Sequence, residues 1–376
     1  MVLTVAKEAL MLSVTRETLL DPLSKVIGVV EQKHTIPILS NILIEVTQGE
    51  LSIAATDMEQ TLVAKSSLIE PVSDLKITLP AKKLVDIIKS LPENSLIEFF
   101  RQDGQILVKS GRSRYLLSTL PPEDFPIKDS IKPLVAFTIE QDTFAQMLQR
   151  TAFAMSQNNV RYTLQGALLE ITADSITAVA TDGHRMAVNS ISAKNSPTVI
   201  QTIIPRKAVM LLTKILSGSN DTINIQISDN TLVAATNEFT LSTKQIDGKY
   251  PDYKKVIPHN QNKIATIKKA TFKNALQRTA IFCPEKINGI KLEFKPNTLH
   301  ISANDSQRQT AEEEIVIHYD GPQVQVGVNV SYLLDNLSIF KSDTINILLS
   351  DDTSPITIEE VDSPYDSTFV IMPIRL

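Results

Sequence analysis

The 376-residue chain has a single cysteine, Cys283, no tryptophan and only 11 glycines. One cysteine excludes a disulfide framework and any multi-cysteine metal site, so a reducing cytoplasm is the expected location. Cys283 itself is expected to be a small packed residue. Glycine stands at about 3% of the chain, against roughly 7% in an average protein. That scarcity disfavours a glycine-rich phosphate cradle, and neither GxGxxG nor GxxxxGK[ST] occurs. No apolar run approaches the roughly 20 residues that span a bilayer, which argues against a membrane partner. No charged-then-apolar leader opens the chain. The net charge is −5. If nucleic acid is a partner, the basic residues must therefore be sorted onto one surface. What is present, 43% hydrophobic and 21% charged residues, describes a globular protein.

The chain repeats itself. ITLPAKKLVDIIKSL around Pro80 recurs as TIIPRKAVMLLTKIL around Pro205 and as VGVNVSYLLDNLSIF around Val330, each 125 residues on. LSVTRETLLDPLSKV from Leu12 matches FTIEQDTFAQMLQRT from Phe137 and ATIKKATFKNALQRT from Ala265. SIAATD at Asp57 matches TAVATD at Asp182 and HISAND at Asp305, and STLPPEDFP at Pro126 matches STKQIDGKYP at Pro251. Four landmarks in one order at one spacing make three copies of one module, expected over 1–131, 137–256 and 258–376. Solenoid repeats are far shorter, so each copy is a whole domain. Residues 1–10 have no counterpart in the other copies and read as an extension. Linkers rich in Pro, Asp, Lys and Asn fall at 121–133 and 248–263.

Within a copy, a strand at 12–15 precedes a helix near 17–30, whose apolar residues Leu19, Leu20, Leu23, Val26, Ile27 and Val30 keep helical spacing. Strands follow at 41–47, 51–56 and 60–70, with Gly49 in the first turn. A strand at 75–79, a helix at 81–91 and strands near 96–101, 104–109 and 113–118 complete the copy. One module thus reads βαβββ twice, and six such halves predict an α+β fold with helices on one side of antiparallel sheets. Tandem copies make head-to-tail contacts, which close into rings or run on as filaments. A β-rich module also has edges that the next copy can cover.

Charge sorts with the helices. Windows 81–91, 206–216 and 268–282 carry +2, +3 and +4, and all six helical windows together carry +7, leaving −12 on the rest. Basic helices on an acidic protein suit a ring with DNA in its hole. Ordinary solvated lysines give the same count. Asp182 and His184 stand close together, but no nucleophile elbow, HExxH or kinase motif accompanies them, so a turn with a structural role is expected. Glu312, Glu313 and Glu314 are expected on a solvated strand edge or outer face.

TIPILSN (35–41), SGRSRYLLSTLPPEDFP (110–126), VRYTLQG (160–166), ATDGHRMAV (180–188), IPRK (204–207), DGKYPDY (247–253), NVSYLLD (329–335) and VIMPIRL (370–376) together resemble the bacterial sliding clamp family, the β subunit of DNA polymerase III. The resemblance runs from residue 11 to the end. It implies three tandem clamp domains with helices lining a ring and sheets outside, and a head-to-tail homodimer around double-stranded DNA. It further implies an ATP-using clamp loader, tethering of the replicative polymerase and other proteins carrying a clamp-binding motif, and no catalysis, cofactor or metal.

It also implies two sets of residues. Lys33 and Lys82 stand where the family has arginine facing DNA, and Asn158, Tyr162 and Thr163 fall in its DNA-contacting loop. Lysine keeps the charge and loses the bidentate fork. Arg206 and Lys207 hold the helix start equivalent to that of Lys82. A partner-peptide cleft is implied at Leu164, Thr181, Gly183, His184, Arg185 and Met186, extended by Pro251, Lys255 and Val256. Asn329, Tyr332, Val370, Met372, Pro373, Ile374, Arg375 and Leu376 close it. Apolar anchors with two methionines suit a site that accepts several peptides, whose family signature is a glutamine with a Leu/Phe pair. Lys255 and Ile287 depart from the family's usual arginine and aromatic, so peptide preference is expected to differ. Two other classes stay open: a non-DNA three-domain interaction scaffold, and an enzyme with an interdomain site. Leu164 and Met186 are also read as plain core, and the tail as a terminal strand.

Overall fold

The computed structural model describes residues 9–31, 35–68, 73–127, 131–193, 199–216, 218–283 and 288–375. The first copy runs β1 (Ala9–Thr15), α1 (Arg16–Val26), β2 (Asn41–Thr47), β3 (Glu50–Thr56), β4 (Gln60–Ser67), β5 (Leu75–Pro80), α2 (Ala81–Ser90), β6 (Leu96–Gln102), β7 (Gln105–Ser110) and β8 (Ser113–Ser118). The second runs β9 (Val135–Glu140), α3 (Gln141–Ala152), β10 (Gly166–Ile171), β11 (Ser175–Thr181), β12 (Arg185–Ser192), β13 (Ile200–Pro205), α4 (Arg206–Ile215), β14 (Thr222–Ile227), β15 (Thr231–Ala235) and β16 (Phe239–Lys244). The third runs β17 (Lys263–Lys268), α5 (Lys269–Ala280), β18 (Gly289–Lys295), β19 (Thr298–Asn304), β20 (Thr310–Val316), β21 (Val324–Asn329), α6 (Val330–Ile339), β22 (Thr344–Leu349), β23 (Ile356–Glu360) and β24 (Asp366–Ile371). These are the six βαβββ halves read from the sequence.

Two boundaries move. The first strand begins at Ala9, because Ala9 and Leu10 pair with Arg101 and Phe100 across a bulge before Leu12. Part of the expected extension therefore belongs to the sheet, and residues 1–8 lie outside the described residues. α1 ends at Val26, not near 30. Gly28 disfavours further helix, and the chain continues as turns in which Val29 and Val30 donate to Val26 and Ile27. Val29 is still buried, so the apolar spacing outlives the helix that it predicted. Gln48 and Gly49 join β2 to β3 with φ of 50° and 81°, the left-handed pair that a two-residue hairpin requires.

Within each copy the two halves exchange first strands. β1 pairs with β6 and β5 with β2, and the same holds for β9 with β14, β13 with β10, β17 with β22 and β21 with β18. The result among the described residues is four antiparallel sheets in the orders β1-β6-β7-β8, β5-β2-β3-β4-β16-β15-β14-β9, β13-β10-β11-β12-β24-β23-β22-β17 and β20-β19-β18-β21. The two eight-stranded sheets are joints: β4 of the first copy pairs with β16 of the second, and β12 of the second with β24 of the third.

Compactness follows the joints. One unit comprises Met1–Asp142 with Lys214–Gln245, the other Thr143–Thr213 with Ile246–Leu376. In the first, α1 packs on β3 and β4 beside α2; in the second, α5 packs on β19 and β20 beside α6. Among the described residues no helix is long and apolar enough to cross a membrane.

Candidate functional site

In the second unit one apolar cluster approaches the surface. Leu164, Leu168, Val179, Met186, Val188, Ile203, Tyr250, Tyr253 and Val370 pack together, with Ile246 and Ile257 against them. Alternation along β10, β11 and β12 puts every second residue on this face. Above it opens a cavity of about 230 Å³, lined by Arg161, Leu164, Thr181, Gly183, Arg185, Met186, Pro251, Tyr253, Val256, Val370 and Met372. Leu164 and Met186 are 0% and 3% exposed, so they are core residues and cavity floor at once, and the tail strand β24 supplies one edge.

The hairpin turn between β11 and β12 is built for the site. Asp182 Oδ1 accepts from the backbone N–H groups of His184 (2.8 Å) and Arg185 (3.0 Å), and Thr181 Oγ1 donates to the Arg185 carbonyl (2.6 Å). Gly183 has φ +95°, and a Cβ there would stand 3.0 Å from Arg161 Nη2. A side chain would be strained and would crowd that guanidinium. Arg185 is fully committed. It reaches Asp182 (3.1 Å), Asp335 (2.5 Å) and the Phe153 carbonyl (2.7 Å), and lies 4.4 Å from the Tyr332 ring. It therefore offers the cavity its flank, not an open charge. Asp182 is occupied as a turn cap and ion-pair partner. Tyr250 is buried, its hydroxyl accepting from Thr181 N–H (3.1 Å), and burial pushes the phenol upward, keeping it neutral.

Nine of the expected cleft residues line the cavity: Leu164, Thr181, Gly183, Arg185, Met186, Pro251, Val256, Val370 and Met372. Others stand around it. His184 is exposed on the turn, and its carbonyl accepts from Met372 N–H (2.8 Å). Lys255 is exposed and paired with Asp252 (2.9 Å). Asn329 caps α6, accepting from Ser331 N–H, and Tyr332 backs Arg185. Pro373 and Ile374 are half-buried; Ile374 donates to the Gly327 carbonyl (2.8 Å), and Arg375 is exposed. Leu376, Ile287 and Lys33 lie outside the described residues. Arg161 and Tyr253 line the cavity without having been singled out, although both fall inside the diagnostic stretches VRYTLQG and DGKYPDY.

Of the residues expected to face DNA, Lys82 is exposed in the first turn of α2. Asn158 and Tyr162 are exposed in the stretch between α3 and β10, Tyr162 at 73%, with Thr163 half-buried beside them. Arg206 donates to the Met155 carbonyl (3.1 Å), Lys269 to the Phe340 carbonyl (2.8 Å), and Arg278 pairs with Glu313. Part of the helical charge is thus engaged locally. Glu312, Glu313 and Glu314 do lie on an edge strand, β20. Cys283 is half-buried, its thiol pushed upward by burial. Among the described residues no group of three or more His, Cys, Asp or Glu side chains is placed to hold a metal.

Family models for the N-terminal, central and C-terminal domains of the DNA polymerase III beta subunit match residues 10–129, 138–252 and 254–375. The beta sliding clamp of Pseudomonas putida is 41% identical over 365 residues, covering 97% of this chain and 99% of its own. That of Escherichia coli K12 is 38% identical over 364 residues, with 97% and 99% covered. The crystal structure of a Pseudomonas aeruginosa sliding clamp bound to griselimycin superposes with a TM-score of 0.94 at 40% identity, covering 98% of this chain and 100% of that one. The chain belongs to the DNA polymerase III beta subunit family, the beta sliding clamps.

Proposed function

We propose that two copies of this chain close head to tail into a ring around duplex DNA and tether the replicative polymerase, the three modules being 1–131, 137–256 and 258–376. The observation that carries the reading is the edge pattern. Six halves end in six equivalent strands; among the described residues four of these pair within the chain as the joints β4–β16 and β12–β24, and β8 and β20 are left as sheet edges. A third joint of the same kind needs a second copy. Retention is then topological: phosphate contacts are sequence-blind and exchangeable, so the ring slides. The chain is an accessory factor without catalysis of its own. The loader that opens it uses its own ATP, and the protein works in the cytoplasm.

Support for the DNA-facing role comes from the helix starts. α2, α4 and α5 open with Lys82–Lys83, Arg206–Lys207 and Lys268–Lys269, and none has an acid in its first turn. A helix N-terminus disfavours cations; Arg206 and Lys269 are held by local carbonyls, whereas the exposed Lys82, Lys83 and Lys268 stand where cation and dipole together favour a phosphate. Lys33, Lys82, Asn158, Tyr162 and Thr163 are assigned to that contact. Clamp loaded on nicked circular DNA should resist high salt and leave only when the circle is cut. Salt-dependent release from circle and linear form alike would reject the ring.

The cavity and its surroundings are the docking cleft for polymerase and loader peptides. Its apolar floor takes a Leu/Phe pair, and Met372 forms a pliable wall. Met372→Ala should weaken a labelled peptide of that kind by about tenfold, in line with truncating a large side chain at a binding anchor. Unchanged anisotropy titrations would remove the cleft from its assigned role.

A further inference from the structure

Beneath the cleft lies a buried carboxylate that the docking role does not by itself use. Glu170 sits on β10, two residues from Leu168 of the apolar cluster and on the same face, with Gln201 of β13 as its cross-strand neighbour. It is 5% exposed. Three donors meet it: the Tyr253 hydroxyl (2.8 Å) and Lys254 Nζ (2.8 Å) on Oε1, and Gln201 Nε2 (2.6 Å) on Oε2. A buried carboxylate persists only with such partners. Burial works against its charge, yet the bonds from Lys254, Gln201 and Tyr253 prevail and hold it below the usual carboxylate range.

Two of those donors lie in one short turn. Tyr253–Lys255 is a single 3-10 turn between Asp252 and Val256, closed by Val256 N–H on the Tyr253 carbonyl (3.0 Å). The same turn carries Pro251, Tyr253 and Val256 into the cavity wall. Such a turn has few ways to fix its own orientation. The Tyr253 ring packs in the apolar cluster, and the polar tie between the turn and β10 is the pair of bonds to Glu170.

We infer that Glu170 is a positioning residue for the cleft, its carboxylate fixing the 251–256 wall against which a docked peptide's apolar anchor packs. The inference rests on the peptide-docking reading. Preorganised walls raise affinity by reducing what must be ordered on binding. Glu170→Gln keeps an acceptor for Tyr253 and loses the attraction for Lys254, whereas Tyr253→Phe removes one hydroxyl and leaves the ring in the wall.

The test uses the full chain and a labelled synthetic peptide with a glutamine and a Leu/Phe pair. Glu170→Gln should weaken binding about tenfold and Tyr253→Phe about fivefold, the double variant falling short of the product because both loosen the same turn through one shared network. Met372→Ala, a lining residue outside the Glu170 network, should multiply with either. Ile347→Val, a core change elsewhere in the same unit, should lower the melting temperature without moving peptide affinity. If Met372→Ala weakens binding while Glu170→Gln and Tyr253→Phe do not, the inference alone is overturned. It is overturned as well if Ile347→Val weakens binding as much at equal melting loss. A wild-type chain that ignores the peptide overturns the docking reading and this inference with it.

Discussion

Arg150→Ala is expected to destabilise the second unit by about 3–5 kcal/mol, the usual cost of removing one partner from a buried ion pair. Arg150 Nη2 meets Glu360 Oε2, and both side chains are 2% exposed. Arg150 Nε also donates to Ser367 Oγ (2.8 Å), and the guanidinium lies 4.3 Å from the Tyr365 ring. Glu360 receives Ser342 N–H (3.0 Å) and Lys341 N–H. The pair fastens α3 of the second copy to β23 and β24 of the third, across the β12–β24 joint. Alanine leaves Glu360 buried without its cation. The melting temperature should fall on the order of 10 °C.

Replacing Arg150 by Met and Glu360 by Leu together should recover most of that loss, since apolar isosteres of a buried pair are often neutral. Among the described residues Arg150 Nη1 has no hydrogen-bond partner, so the native pair is itself imperfect. Calorimetry that shows Arg150→Ala within 1 kcal/mol of wild type would mean that the pair does not fasten the joint.

The same pair gives a pH sign. Burial raises the Glu360 carboxyl, but the Ser342 N–H and Arg150 outweigh it, and the net shift is downward from 4.5. A lowered folded value contributes stability above the ordinary carboxylate value and loses it as pH falls through the folded one. The contribution of the joint should therefore be constant from neutral pH to about 5 and decline only in stronger acid.

The repeats already carried much of this. Lys25, Arg150 and Arg278 hold one position in LSVTRETLLDPLSKV and its two counterparts. The first two reach across a joint, Lys25 to Glu238 (2.6 Å) and Arg150 to Glu360. Sequence periodicity yielded all six halves because each helix and strand buries one face, and burial imposes its spacing on the letters. It could not show the exchange of first strands between halves, since pairing partners leave no local pattern. Nor could it stop α1 at Val26, because Val29 and Val30 stay in step with a helix that has ended.

Nine of the residues that the diagnostic stretches named for a cleft line one cavity together. Arg161 and Tyr253 escaped because their neighbours Leu164 and Pro251 carried the resemblance. Glu170 escaped for a physical reason: a lone acid inside the apolar run GALLEI resembles any solvated strand residue until Tyr253, 83 positions later, is brought onto it.

If two copies close head to tail as proposed, reversing charge at Arg114 is expected to weaken that dimer on the order of 100-fold, as close like charges across an interface do. The pairing of the third joint follows from the first two. Leu62 opposes Leu241 and Ala187 opposes Phe369 in the in-chain joints. Leu62 and Ala187 are the cross-strand partners of Ala55 and Ala180. The third copy's equivalent, Ala303, faces Ala311 on β20. On β8 the stretch Leu117-Ser118-Thr119 corresponds to Leu241-Ser242-Thr243. Leu117 should then oppose Ala311 of a second copy, and antiparallel counting sets Leu116 against Glu312, Tyr115 against Glu313 and Arg114 against Glu314.

Residues 105–122 hold Lys109, Arg112 and Arg114 and no acid, whereas β20 carries Glu312, Glu313 and Glu314. The edges are complementary between copies and self-repelling otherwise, which also keeps β8 from pairing with another β8. Arg278, at the position that reaches across the other joints, is bound to Glu313 of its own chain (2.6 Å). In the proposed ring the third joint would be held by exposed charges where the second is held by a buried pair. Exposed pairs are screened by salt, so this joint should be the weaker one, separable without unfolding. Sedimentation of Arg114→Glu should show monomer at concentrations where wild type is dimeric, with Glu314→Arg in the same chain restoring the dimer. A double variant as monomeric as the single one would refute the register, and a dimer that ignores both substitutions would place the contact elsewhere.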